Sequence, residues 1–200
     1  MLLALPLLAG LIVGKLTGGS FRRLASVNLR APWLFLLGLG IQVFLYNPWI
    51  EQQSWDIRYG HLLYVGSLLL LFAALLMNLS RVRWPLWILV TGAGVNLVVI
   101  LANGGAMPVD AHLLALAQGN QLVWQIAHHH LASNVMPVIS SARLAFFDDH
   151  LALARSVYSI GDVLIGVGGF LIAIVEMRGS PRVSSVGSGD VSKTRMPQIA

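Results

Sequence analysis

One aspartate stands in a stretch that is otherwise apolar. Asp162 follows Ser159 and Gly161, and Gly166, Gly168 and Gly169 come after it within a long hydrophobic run. An ionisable group in such a setting is costly to desolvate, so it needs a partner or a task. The task would be contact with a proton, an ion or a ligand. The plainer alternative is structural: Asp162 fits the first turn of a helix, where Ser159 and a carboxylate together cap exposed amides and meet the positive end of the macrodipole. Upstream, Asn103, Gly104, Gly105, Met107 and Pro108 make a turn. Asparagine and glycine tolerate positive φ and end helices, which accounts for the turn by itself. The same residues also offer a polar floor beside Asp162. Asn96, two helical turns earlier, either joins that floor or hydrogen-bonds to a neighbouring helix.

A second group combines imidazole and carboxylate: His128, His129 and His130, then Asp148, Asp149 and His150. These are ligand types for zinc or another transition metal. The spacing argues otherwise. Helical ligand pairs need separations of three or four, and three consecutive histidines on a helix point in different directions. The expectation is an interfacial polar face with no metal and no cofactor, the aspartates capping a short helix. Ser140 and Ser141 have His and Asp nearby, but no spacing that specifies a triad. The chain has no phosphate loop, no dinucleotide-binding glycine pattern, no GxSxG and no His-Glu-x-x-His. It also has no cysteine, which excludes disulfides, thiolate metal sites and cysteine nucleophiles.

The elements that must position these residues follow from composition. The 200 residues are 56% hydrophobic and only 10% charged, against a usual charged share of roughly 25%. Such a chain cannot cover a water-facing surface with charge, whereas a bilayer suits it. Crossing about 30 Å of hydrocarbon takes about 20 helical residues. Apolar runs at 31–50, 62–79, 84–102 and 160–177 meet that length. A fifth, 1–19, does so if Lys15 snorkels toward the headgroups. A cleaved signal peptide is the rival reading of that run, but no basic residue precedes it and no small-x-small cleavage site follows. Its Gly10, Gly14 and Gly18 recur at four-residue spacing, which either admits a close neighbour helix or reflects the simple tolerance of membrane helices for glycine. The predicted fold is all-α: a polytopic transmembrane bundle of about five spans over residues 1–178, then a flexible tail at 179–200.

Charge sets the expected orientation. Lys15, Arg22, Arg23 and Arg30, then Arg81 and Arg83, then Arg178, Arg182, Lys193 and Arg195 flank alternate runs and make up ten of the thirteen basic residues. Short basic loops stay cytoplasmic, so the N-terminus is expected outside and the C-terminus inside, in a plasma (inner) membrane. Trp33, Trp84 and Trp87 then mark inner interfaces, with Tyr46, Trp49 and Tyr158 at outer ones. The high pI (about 10.2) is therefore read as topology, with no nucleic acid as partner.

The long connection at 103–159 should carry structure of its own. Helical patches are expected at 112–118, capped by Asp110 and stopped by Gly119, at 122–132, and at 151–156, capped by Asp148 or Asp149. All are too short to span and are expected to lie on the membrane surface or fold over the helix ends.

Three strings in the chain, NGGAMPV from Asn103, YSIGDVLIGVGGF from Tyr158 and ARLAFFDD from Ala142, resemble a bacterial family of small multi-pass membrane proteins catalogued as a domain of unknown function. In the third string the family usually has Gly before the Asp, where this chain has Phe147. The resemblance implies the multi-pass fold and no activity. The expected role is that of a noncatalytic subunit or assembly partner of a membrane complex, with lipid and other subunits or a second copy as partners. The alternatives are a small ion-coupled transporter using Asp162 and an outer-leaflet enzyme using the His and Asp cluster.

Overall fold

The computed structural model describes residues 4–47, 54–119, 135–138, 151–153 and 156–179. The His128–130 cluster, Asp148, Asp149, His150, the expected helix at 122–132 and the tail beyond 179 lie outside the described residues.

Helices dominate. They are α1 (Ala4–Leu16), a short α2 (Phe21–Ala25), α3 (Pro32–Leu45), α4 (Ser54–Met77), α5 (Pro85–Ala102), α6 (Ala111–Gln118) and α7 (Ile160–Arg178). Pro32 and Pro85 each begin a helix, where the missing N–H costs nothing. Among the described residues, three segments are long and apolar enough to cross a membrane: Tyr59–Met77, Pro85–Ala102 and Ile160–Arg178. α1 and α3 are shorter than the 1–19 and 31–50 expected. Their 13 and 14 residues rise about 20 Å each. α1 ends where Gly18 turns to φ +86. α3 ends at Leu45, three residues before Pro48, which disfavours helical geometry in the residue ahead of it.

The helices pack as a row, α1 against α7, α7 against α5, α5 against α4, and α4 against α3. Glycines set the close crossings. A Cβ on Gly10 would collide with the backbone of Phe170, and one on Gly168 would lie 2.7 Å from Leu89. A Cβ on Gly38 would lie 2.8 Å from Leu71. Backbones approach this closely only where the side chain is absent, as in helix pairs joined by small residues. Between α3 and α4, Ser67 is fully buried, donates to Tyr64 O (2.7 Å) and accepts from Gln42 Nε2 (3.3 Å). Many large apolar side chains of the row point outward, among them Leu8, Ile12, Leu36, Val43, Leu62 and Val98.

At the end of the row that α5 leaves through Asn103, small strands appear that the sequence pattern did not announce. β1 (Met107–Asp110) pairs in parallel with β2 (Val135–Val138), and β3 (Leu151–Leu153) pairs antiparallel with β4 (Ser156–Tyr158). The helix expected at 151–156 is therefore a correction: its described residues, 151–153 and Ser156, lie in β3 and at the start of β4. Six residues are too few to repay helix nucleation, and Ser156, Val157 and Tyr158 favour a pleated partner. α6 forms where expected. Asp110 accepts from Leu113 N–H at 2.9 Å, Gly119 ends the helix at φ +97, and Leu114 is buried. α6 packs against the strands.

Candidate functional site

Asp162 lies in the first turn of α7, and Ser159 is its N-cap. The two make a capping box: Asp162 N–H donates to Ser159 Oγ at 3.0 Å, and Ser159 N–H donates to Asp162 Oδ2 at 3.2 Å. Both amides would otherwise be orphans of the helix start. Asn96 of α5 closes the arrangement from across the interface. Its Nδ2 donates to Asp162 Oδ1 at 2.8 Å, and its Oδ1 accepts from Ser159 Oγ at 2.8 Å. Ser159 is fully buried, and Asn96 and Asp162 are half-buried. Each side chain is thus both held and holding, and both carboxylate oxygens already accept.

Glycine makes this geometry possible. A Cβ on Gly161 would overlap Asn96 Oδ1 and come within 2.8 Å of Gly92 O, and one on Gly92 would meet Leu164 Cβ at 2.8 Å. Two glycines facing each other let α5 and α7 close until Asn96 reaches the cap.

The turn after α5 is built separately. Asn103 donates from Nδ2 to Val99 O (2.8 Å), and Gly105 N–H donates to Ile100 O (2.9 Å). Gly104 and Gly105 take φ of +75 and +97, the left-handed geometry that stops the helix. Met107 and Pro108 are buried, and Met107 packs with Val99 and Ile100 against Tyr64, Val65 and Leu68. His61 of α4 faces this turn: its Nδ1 lies 3.3 Å from Gly105 O. A carbonyl only accepts, so the ring donates there. Asn96, rather than the 103–108 turn, is thus what the hydrogen bonds of the Asp162 box bring in from α5.

Sequence reasoning passed over two further polar fastenings. Glu176, only 5% exposed near the far end of α7, accepts from Arg83 N–H at 2.6 Å, and its Oε2 lies 3.6 Å from Arg83 Nε. A Cβ on Gly179 would strike the Arg83 guanidinium, so the glycine makes room for that side chain. A carboxylate near a helix C-terminus opposes the macrodipole, and that conflict was the available signal that a cation must meet it. Asn78, buried past the end of α4, pairs with the backbone of Arg30: Oδ1 accepts from its N–H at 2.7 Å and Nδ2 donates to its carbonyl at 3.0 Å. Among the described residues, no group of three or more His, Asp or Glu converges as a metal site.

A family model described as "Family of unknown function (DUF5317)" matches residues 26–174. That stretch holds α3, α4, α5 and the whole Asp162 box. No curated protein and no solved structure matches.

Proposed function

We propose, for a chain that belongs to the DUF5317 family, the role of a noncatalytic membrane subunit or assembly partner that crosses the bilayer five times. In this reading the N-terminus is outside and the C-terminus cytoplasmic in a bacterial inner membrane. The observation that carries it is the closure of the Asp162 box. Asn96, Ser159 and Asp162 satisfy one another across the α5–α7 contact, which is how polar groups act as interhelical glue in lipid. A pathway residue would need an acceptor turned toward a cavity, whereas here both carboxylate oxygens face protein donors.

Three helices have the length and hydropathy of spans. α1 and α3 complete the five as short spans, and their flanks supply the adjustment that short spans use. Lys15 is exposed at the end of α1, where it can snorkel, and Trp33 is exposed at the start of α3. Trp84 and Trp87, also exposed, stand at the same basic end of the row.

The test is the state of the protein in its native membrane. Crosslinking followed by native gels should place it in an assembly of defined partners; migration as a lone chain under both methods removes the reading. Single-cysteine labelling near Arg22, Arg81 and Arg178 should report the cytoplasmic side, and labelling of those positions from the outside overturns the orientation.

A further inference from the structure

We infer that the junction of α1, α2 and α7 is a binding site for one anionic glycerophospholipid, held by its headgroup phosphate. The inference rests on the membrane reading above but not on the subunit role. It uses residues 15–23 and 178, which lie outside the stretch matched to the family.

Three elements converge there. α1 packs along α7, and α2 crosses the end of α7. Ser20 N–H donates to Met177 O at 2.9 Å, and Arg23 Nη1 donates to Arg178 O at 3.3 Å. These bonds satisfy carbonyls that the end of α7 would otherwise leave open. They also bring Arg22, Arg23 and Arg178 to the place where α1 delivers Lys15, and all four side chains are exposed. The one described carboxylate at this end of the row is Glu176, which is buried and engaged by Arg83. Among the described residues the junction is therefore a concentration of positive charge with no exposed anion of its own.

What adjoins the charge identifies the ligand. Gly10 and Gly14 turn one side of α1 to α7, and the opposite side carries Leu8, Ile12 and Leu16, all exposed. That spacing of four aligns them in one stripe along the helix. The stripe ends beside Lys15, which follows Ile12 by three residues on the same face. A nucleic acid or an acidic peptide would leave such a stripe bare. A diacyl lipid fits both features, with the phosphate among the cations and an acyl chain along Leu8, Ile12 and Leu16.

The experiment uses the full chain purified in a neutral detergent, probed by native mass spectrometry and thermal unfolding. Phosphatidylglycerol should remain bound as a single molecule and raise the unfolding midpoint, whereas phosphatidylcholine with the same acyl chains and inorganic phosphate should do neither. Lys15→Gln with Arg22→Gln removes two cations whose side chains make no hydrogen bond among the described residues, so the lipid-free midpoint should stay unchanged. Phosphatidylglycerol binding should weaken by about 25-fold, taking about fivefold for each basic residue facing an anionic headgroup. Arg81→Gln, at the α4–α5 turn of the same end, should leave binding intact. Equal retention of both lipids, a shift produced by phosphate alone, or equal loss in the Arg81 variant would each overturn the site. A double variant that fails to fold leaves the wild-type lipid comparison and the Arg81 arm to decide.

Discussion

α5 and α7 are joined at both ends by polar side chains, and the two joints are built differently. At the Ser159 end, Asn96, Ser159 and Asp162 form a compact ring whose hydrogen bonds run from 2.8 to 3.2 Å. At the other end, Arg83 and Glu176 make a charged clasp in which a backbone amide supplies the short contact (2.6 Å) and the guanidinium stands 3.6 Å away. The ring depends on backbone approach, since Gly161 and Gly92 must touch before short side chains can meet. The clasp depends on reach, because the longer glutamate side chain extends its carboxylate to the Arg83 backbone N–H. The ring should therefore fail when the helices are spread slightly, while the clasp should tolerate it.

The most damaging substitution should be Gly161→Val. Its branched Cβ would displace Asn96 and press on Gly92 O, breaking the ring and parting the helices together. Overpacking at a tight contact costs about 1 to 3 kcal/mol, and the lost hydrogen bonds add about 1 kcal/mol each. The expected outcome is little folded protein in detergent. A Gly161→Val variant that unfolds at the wild-type temperature would show that the close approach is not what holds this end.

Asp162→Ala comes next, with an expected loss of about 1 to 3 kcal/mol. It leaves Ser159 N–H and Asn96 Nδ2 without acceptors while the helices stay in place. Asp162→Asn sharpens the comparison. Asparagine keeps one acceptor but sets an NH2 against one of the two donors that now face the carboxylate, so it should restore only part of the loss. Recovery to wild-type stability with Asn would mean that one of those two bonds carries no weight.

These residues also show what was legible in the sequence and what was not. Asp162 in the first turn after Ser159 was readable as a cap because both partners are local, three residues apart. Asn96 as an interhelical group was readable in kind, since a carboxamide amid hydrocarbon needs a partner, but its choice of Asp162 rests on how α5 and α7 cross. The turn at 103–108 was readable as a helix stop from Asn103, Gly104 and Gly105, yet its continuation into β1 was not. The partner of β1 begins at Val135, and nothing in MPVD specifies a strand without it. The long apolar helices were legible from hydropathy, whereas the early end of α3 was masked by the apolar residues that continue past Leu45.

Glu176→Gln should cost less than either change at Asp162, about 1 kcal/mol. The amide oxygen can still accept from Arg83 N–H, so only the charge facing the guanidinium is lost, and Arg83 is 33% exposed and partly screened. Glu176→Ala, which also leaves that amide without an acceptor, should cost about twice as much. Equal effects of Gln and Ala would assign the clasp to charge rather than to the backbone bond.

The smallest effect is expected at Gly40. A Cβ there meets nothing within 4 Å, in contrast to Gly38 two residues earlier, where it would lie 2.8 Å from Leu71. The two glycines of α3 thus separate packing from helix propensity. Gly38→Ala should weaken the α3–α4 contact, whereas Gly40→Ala should change the stability of the purified chain by less than about 1 kcal/mol, in the stabilising direction, because alanine is the better helix former. The same variant in the native membrane probes the subunit reading. If another protein packs against this face of α3, a methyl group at Gly40 should reduce crosslinking there while leaving the isolated chain as stable as before. If lipid alone covers the face, both measurements should match wild type. A loss of stability in the isolated chain would instead place another part of this protein over Gly40.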